Sequence, residues 1–167
     1  MRQDAVVTNE YIIDQFTQFK PTTVTQIRAL GIDAIDIGSG STRYAYKLNR
    51  DLMVKIPIYG PTDMWQTDRE IIVIERINRD PALSHLRRHA PKVHYTDRVN
   101  GIIIMKYYPV EMSRDTDPET LCRHRELRRK FERIGVTDLW CGNVREHNNE
   151  LIAVDLGCFF EPGPEND

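Results

Sequence analysis

Four separated stretches of this 167-residue chain carry polar groups in settings that phosphoryl chemistry on a nucleotide would explain. The first is Gly38-Ser39-Gly40-Ser41, a turn between two extended runs, where glycines let the main chain approach phosphates with no side chain between. The second is Lys55, inside the apolar run Leu52-Met53-Val54-Lys55-Ile56, a costly place for an ammonium unless an anion meets it. The third is Glu70, fifteen residues on, at the head of Ile71-Ile72-Val73-Ile74, from where a carboxylate can reach back to Lys55; Asp68 and Glu75 are rivals for that role. The fourth is Thr137-Asp138-Leu139-Trp140-Cys141-Gly142-Asn143, followed by Ile152-Ala153-Val154-Asp155-Leu156-Gly157. Two carboxylates and an amide converging at a hairpin supply hard oxygen ligands for Mg²⁺ and one carboxylate to position a hydroxyl nucleophile. Each stretch alone has a plainer explanation: a hairpin turn, an edge-strand lysine, a surface carboxylate, Asp and Asn in turns. Their occurrence together, in this order, points to one site.

The elements that must position these residues follow from periodicity. Thr8 to Phe19 and Thr22 to Leu30 carry apolar residues on one helical face, and Gly31 suits the stop of the second. The period then turns extended over Ile35 to Ile37, Arg43 to Leu48 and Leu52 to Ile56, which predicts an antiparallel meander. Met64 to Asn78 reads as a helix with Trp65, Ile71, Ile72, Ile74 and Ile77 as its apolar set, and Pro81 starts a short helix to about His89. Lys92 to Thr96 and Ile102 to Tyr107 form a second strand pair. Pro118 to Ile134 is one helix with Leu121, Leu127, Phe131 and Ile134 as its stripe, and Asn143 to Glu146 with Leu151 to Val154 makes a last hairpin. The tail from Glu161 to Asp167 is expected to be disordered.

Composition bounds the rest. Lys plus Arg number 23 against 25 Asp plus Glu, and 40% of residues are hydrophobic, which excludes a generic nucleic-acid binder and a disordered chain. No apolar run approaches a membrane span and the first ten residues lack the core of a secretory signal, so a cytoplasmic location is expected. Cys122, Cys141 and Cys158 have neither disulfide nor metal-pair spacing and read as reduced thiols, with the placement of Cys141 and Cys158 beside the fourth stretch read as incidental. The five histidines lack zinc-ligand spacing, and Arg87-Arg88-His89 reads as a helix end.

Read from Ile35 to Gly157, the chain resembles the protein-kinase-like superfamily, with the order and spacing of its signatures retained. The resemblance implies an α+β protein-kinase-like fold: a five-stranded antiparallel N-lobe sheet, a helix of the αC type and a truncated helical C-lobe. It divides the chain into an N-terminal helical extension over 1–33, an N-lobe over 34–108, a C-lobe with the catalytic and metal loops over 109–160, and the tail 161–167. It implies that Gly38, Ser39, Gly40 and Ser41 cover the phosphates of ATP, that Lys55 holds the α- and β-phosphates, and that Glu70 is its ion-pair partner. It makes Asp138 the catalytic base and gives Mg²⁺ or Mn²⁺ to Asn143 and Asp155. Lys106-Tyr107-Tyr108 becomes the hinge that receives adenine behind Met105, with Ala45 and Met53 against the adenine faces.

Departures from the family pattern say which kind of kinase is implied. Arg43 replaces the third glycine and adds a phosphate-facing cation; Val136-Thr137 stands where protein kinases carry His-Arg; and Trp140 occupies a position usually held by lysine or histidine. Ten residues follow Gly157, so no activation segment is expected. The implied activity is a minimal protein kinase, of the kind found among bacterial effectors and phage proteins, moving the γ-phosphoryl group to a Ser, Thr or Tyr hydroxyl of a protein; for such a protein the location is host cytoplasm. The arginines and lysine between Arg123 and Arg133 read as a solvated helix face or as a docking surface for an acidic protein segment. Competing readings are a pseudokinase or nucleotide-gated binding module, nucleotidyl transfer on the same fold, and an α+β interaction protein that uses no nucleotide.

Overall fold

Thr8 and Thr23 open the first two helices by accepting main-chain N–H groups three residues on, and Gln26 returns the bond to Thr23 in a capping box. The computed structural model describes residues 7–59, 64–113 and 117–160. Helices α1 (Asn9–Phe19) and α2 (Val24–Ala29) lead into β1 (Ile35–Ser39), β2 (Arg43–Lys47) and β3 (Leu52–Pro57). Helix α3 (Met64–Arg79) and a 3₁₀ segment (Pro81–His89) follow, then β4 (Val93–Asp97), β5 (Ile102–Lys106), β6 (Val110–Glu111), α4 (Pro118–Glu132), a 3₁₀ turn (Cys141–Asn143), β7 (Val144–His147) and β8 (Glu150–Ala153). The protein is α+β, with the order of helices and strands expected from the sequence. The predicted tail 161–167 lies outside the described residues. No helix among the described residues is long and apolar enough to cross a membrane.

The chain divides into two units, Met1–Met64 with Lys92–Tyr107, and Trp65–Pro91 with Tyr108–Asp167. The first holds a five-stranded antiparallel sheet in the order β1-β2-β3-β5-β4. One face of that sheet presents Tyr46, Leu52, Val54, Ile56, Ile102 and Ile104 to Ile12, Phe16 and Ile27 of the two helices. Phe16 and the two isoleucines are fully buried, and each contributes about 1.5–3 kcal/mol of apolar burial. Tyr95 Oη donates to the Phe16 carbonyl at 3.4 Å and Tyr11 Oη to the Leu30 carbonyl at 2.9 Å, so the helices are tied down at their ends as well as packed. The opposite face is thereby left to carry chemistry.

In the second unit, β6, β7 and β8 form a small antiparallel sheet, and Tyr108, Ile152 and Val154 make an apolar cluster. The two-residue β6 is exposed and gave no hydrophobic signal in the sequence. Two predicted stripes need correction. Helix α4 buries Thr120, His124, Leu127 and Phe131, a true i, i+4, i+7, i+11 series, whereas Leu121 is only half-buried because it lies a step of 100° off that line. Helix α3 buries Thr67, Glu70, Ile71, Ile74 and Ile77, while Trp65 is 46% exposed; its ring instead takes the Arg69 guanidinium at 4.9 Å, and Phe160 takes the same guanidinium at 5.2 Å.

His89 ends the 3₁₀ segment, as expected, but it also has a structural role. It is buried, its Nδ1 lies 2.9 Å from the Leu151 carbonyl, and its Nε2 accepts from Arg88 Nε at 3.3 Å, which assigns the proton to Nδ1. Burial pushes its pKa below the ordinary imidazole value, against the Leu151 carbonyl and Glu150, which raise it. Because the folded state disfavours the imidazolium, the contribution of His89 is fully present above the unfolded value of about 6.5 and is lost as pH falls through the lower folded value. Urea midpoints should therefore fall between pH 7.5 and pH 5, and should fall less in His89→Gln; the same pH slope in both proteins would assign the loss elsewhere.

Candidate active site

In the sheet unit the strand register decides which side chains share a face. Tyr44 and Tyr46 join the helix-covered face, so Arg43, Ala45 and Lys47 occupy the other. Lys55 lies between Val54 and Ile56, both in the helix-covered core, and so joins the second face. Cross-strand partners then form rows on that face: Lys47, Met53 and Met105 in one, and Gly38, Ala45, Lys55 and Ile103 in the next. A register shift between Asp36 and Gly38 brings Gly38 opposite Ala45, and Asp36 Oδ1 fastens it by accepting the Gly38 N–H at 2.9 Å. Lys55 is 6% exposed and Arg43 5%. Ser39 pairs with Tyr44, Gly40 donates its N–H to the Arg43 carbonyl at 2.9 Å, and Ser39, Gly40 and Ser41 are exposed at the turn.

The residues expected to receive adenine are partly committed. The Lys106 N–H donates to the Lys92 carbonyl and the Tyr107 N–H to the Asp51 carbonyl, each at 2.8 Å, so a base bound here finds neither donor. The Tyr107 ring receives the Lys47 ammonium at 4.9 Å. The Tyr108 side chain belongs to the second unit's apolar cluster and meets His147 edge-on at 5.3 Å.

In the second unit main-chain pairing brings together the segments that carry Asp138, Asn143 and Asp155. Val154 donates its N–H to the Asn143 carbonyl at 2.9 Å, extending the β7–β8 ladder so that Asn143 stands beside the residue before Asp155. The chain after Asp155 pairs antiparallel with the chain before Asp138: Thr137 N–H donates to the Cys158 carbonyl at 3.0 Å, Val136 bridges Phe159, and Phe160 N–H donates to the Gly135 carbonyl at 2.9 Å. Asp138, Asn143 and Asp155 are thus gathered into one loop cluster. Glu70 is fully buried, and its Oε1 accepts the Leu156 N–H at 3.4 Å, tying α3 to the residue after Asp155.

The donor set suits a hard cation. Asn143 Nδ2 donates to the Asp138 main-chain carbonyl at 2.8 Å, which turns its acceptor oxygen the other way. Asp155 Oδ1 accepts the Gly157 N–H at 3.1 Å, and this turn orients the carboxylate. No group of three or more His, Cys, Asp or Glu placed to hold a metal occurs among the described residues. Mg²⁺ is ordinarily held by one or two protein oxygens with substrate phosphates and water completing the shell, so an Asn–Asp pair fits it and would not fit zinc.

Three residues here were not assigned from sequence. His124, buried on α4, places Nε2 3.0 Å from the Leu139 carbonyl and so steadies the residue after Asp138; its place in the α4 stripe was the available signal. Cys158 places its Sγ 3.7 Å from Asp138 Oδ2. Gly142 makes room for the Trp140 ring, which a Cβ at that position would overlap.

The fold is similar to solved phosphotransferase structures. The chain matches the streptomycin–ATP–APH(2″)-IIa ternary complex with a TM-score of 0.46 and 15% identity, over 68% of this chain and 38% of that one. It matches the GDP complex of wild-type aminoglycoside 2′-phosphotransferase-IIIa with a TM-score of 0.41 and 13% identity, over 77% and 42%. The chain spans about two fifths of the length of these solved chains. No family model and no curated protein matches the chain.

Proposed function

We propose that the chain is a minimal Mg²⁺- and ATP-dependent protein kinase that moves the γ-phosphoryl group to a Ser, Thr or Tyr hydroxyl of a protein. One observation carries the reading: a buried lysine shares its sheet face with Gly38, Ala45, Met53 and Met105, while α1 and α2 close the other face. Met53, Met105 and Ala45 serve the adenine, and Lys55 the α- and β-phosphates. Mg²⁺ or Mn²⁺ held by Asn143 and Asp155 would neutralise phosphate charge. Asp138 orients the acceptor hydroxyl. Its oxygen bonds the γ-phosphorus, the bond from that phosphorus to the bridging oxygen breaks with its electron pair leaving on ADP, and the hydroxyl proton passes to the Asp138 carboxylate.

The protein acceptor is favoured by α4. Arg125, Arg129 and Arg133 stand at i, i+4 and i+8 on its exposed side, while Arg128 is bound to Glu132 at 2.7 Å. Like charges four residues apart cost a helix about 0.2–0.5 kcal/mol per pair, and an acidic acceptor segment would relieve that repulsion. A second reading, a nucleotide-gated binding module, is favoured by Trp140, whose uncharged ring packs on Gly142 where related enzymes carry a cation.

One experiment discriminates. Wild type, Asp155→Ala and the Arg125→Glu/Arg129→Glu variant are incubated with Mg²⁺, a cell lysate as acceptor, and ATP labelled at either the α- or the γ-phosphate. The kinase reading expects γ-label alone to reach protein, none with Asp155→Ala, and at least a several-fold loss with the double arginine variant. Transfer of α-label would mean nucleotidyl transfer. ATP-dependent thermal stabilisation with no transfer would establish the binding module, and no nucleotide effect at all would remove both.

A further inference from the structure

We propose that Arg43 holds the terminal phosphate of the nucleotide bound on the Lys55 face of the sheet; this rests on the nucleotide reading of Lys55 given above. The argument is one of order along a single sheet face. Moving along β3 from the hinge end, the first row on the Lys55 face contains Met53 and Met105, the second contains Ala45 and Lys55, and the third pairs Arg43 with Pro57. Successive rows on one face are two residues, about 7 Å, apart. A nucleotide with its base on the first row and its α- and β-phosphates on the second therefore runs its chain end toward the third. Any phosphate beyond the β position meets Arg43.

The side chain suits that task. Arg43 follows an exposed turn yet is itself only 5% exposed, and the β2–β3 register sets it on the face that carries Lys55. A guanidinium offers paired donors to two phosphate oxygens at once, which a lysine cannot do. The missing third glycine costs no strain, because Arg43 has an ordinary strand conformation paired with Pro57 and is absent from the positive-φ residues. Gly40, whose N–H donates to the Arg43 carbonyl, couples the exposed turn to the same residue.

The test is calorimetric binding of Mg–ADP, Mg–ATP and a non-hydrolysable ATP analogue to wild type, Arg43→Ala, Arg43→Gln and Lys55→Ala, with thermal melts to confirm folding. Wild type should bind the triphosphates more tightly than ADP. Both Arg43 variants should lose about tenfold or more for the triphosphates and less than about twofold for ADP, as expected for loss of a charged hydrogen-bond pair. Lys55→Ala should weaken all three. Arg43→Gln keeps the buried stem, so the comparison stands even where Arg43→Ala does not fold. An unchanged ATP-to-ADP ratio in a folded Arg43 variant, or an equal loss for both nucleotides, overturns the assignment while leaving the nucleotide reading intact. Wild type that binds no nucleotide overturns both.

Discussion

Gly135→Ala should lower the melting temperature by about 10 °C. Gly135 has φ +93°, and its carbonyl accepts the Phe160 N–H at 2.9 Å. A Cβ there would overlap the Phe160 carbonyl oxygen. That oxygen is main chain in a paired segment, so it can move only by opening the contact that joins the residues before Asp138 to those after Asp155. Positive φ costs a non-glycine residue roughly 1–2 kcal/mol and overpacking typically costs about 1–3 more, so about 3 kcal/mol is at stake. For a chain of this size each kcal/mol is worth about 2–4 °C. Gly31 supplies the control: it has φ +75° but open space around the position of a Cβ, so Gly31→Ala should cost only the backbone share, a few degrees. Circular dichroism melts of the two variants make the comparison. Shifts of equal size would show that the Phe160 contact is not what makes glycine necessary.

The same pairing marks the limit of what the sequence disclosed. The central strands were legible because apolar residues dominate them, as in Leu52 to Pro57, where all six residues are buried and Lys55 alone is charged. The candidate site residues stood out by type and spacing, since an ammonium among aliphatics or an Asp ending an apolar run is chemically conspicuous. What was not legible was register. Gly38 lies opposite Ala45 only because the chain bulges after Asp36, and nothing in the alternation of β1 announces the bulge. The segments 135–138 and 157–160 are joined by main-chain bonds, which leave no side-chain pattern. His124 and Thr120 were passed over on α4 because a search for apolar residues skips a buried polar one, although His124 is inward so that its ring can reach the Leu139 carbonyl. Main-chain donors behave alike: that Lys106 and Tyr107 spend their N–H groups on Lys92 and Asp51 is invisible in their side chains.

Register also explains why Asp138→Asn should be a clean chemical probe, with a fall of about 10²–10⁴-fold in the rate of transfer and little change in the KM for ATP. The bonds that hold the loop do not run through the Asp138 carboxylate alone. The Asp138 main-chain carbonyl takes Asn143 Nδ2, Thr137 fixes the preceding residue to Cys158, and His124 holds the Leu139 carbonyl that follows. Asparagine keeps the size of aspartate and an oxygen that can face Cys158 Sγ, so the loop should persist and the melting temperature should stay within about 2 °C, as for surface substitutions generally. On the proposed kinase reading, only the capacity to take the hydroxyl proton is removed. Asp155→Ala should behave differently, since on the proposed reading it would remove one of the two side chains that would hold Mg²⁺ and so weaken Mg–ATP binding as well as transfer. If Asp138→Asn retained wild-type transfer while Asp155→Ala abolished it, the site would bind nucleotide and metal with no base at Asp138. If Asp138→Asn instead raised the KM for ATP as much as it lowered kcat, the carboxylate would be acting on the nucleotide and not on the acceptor.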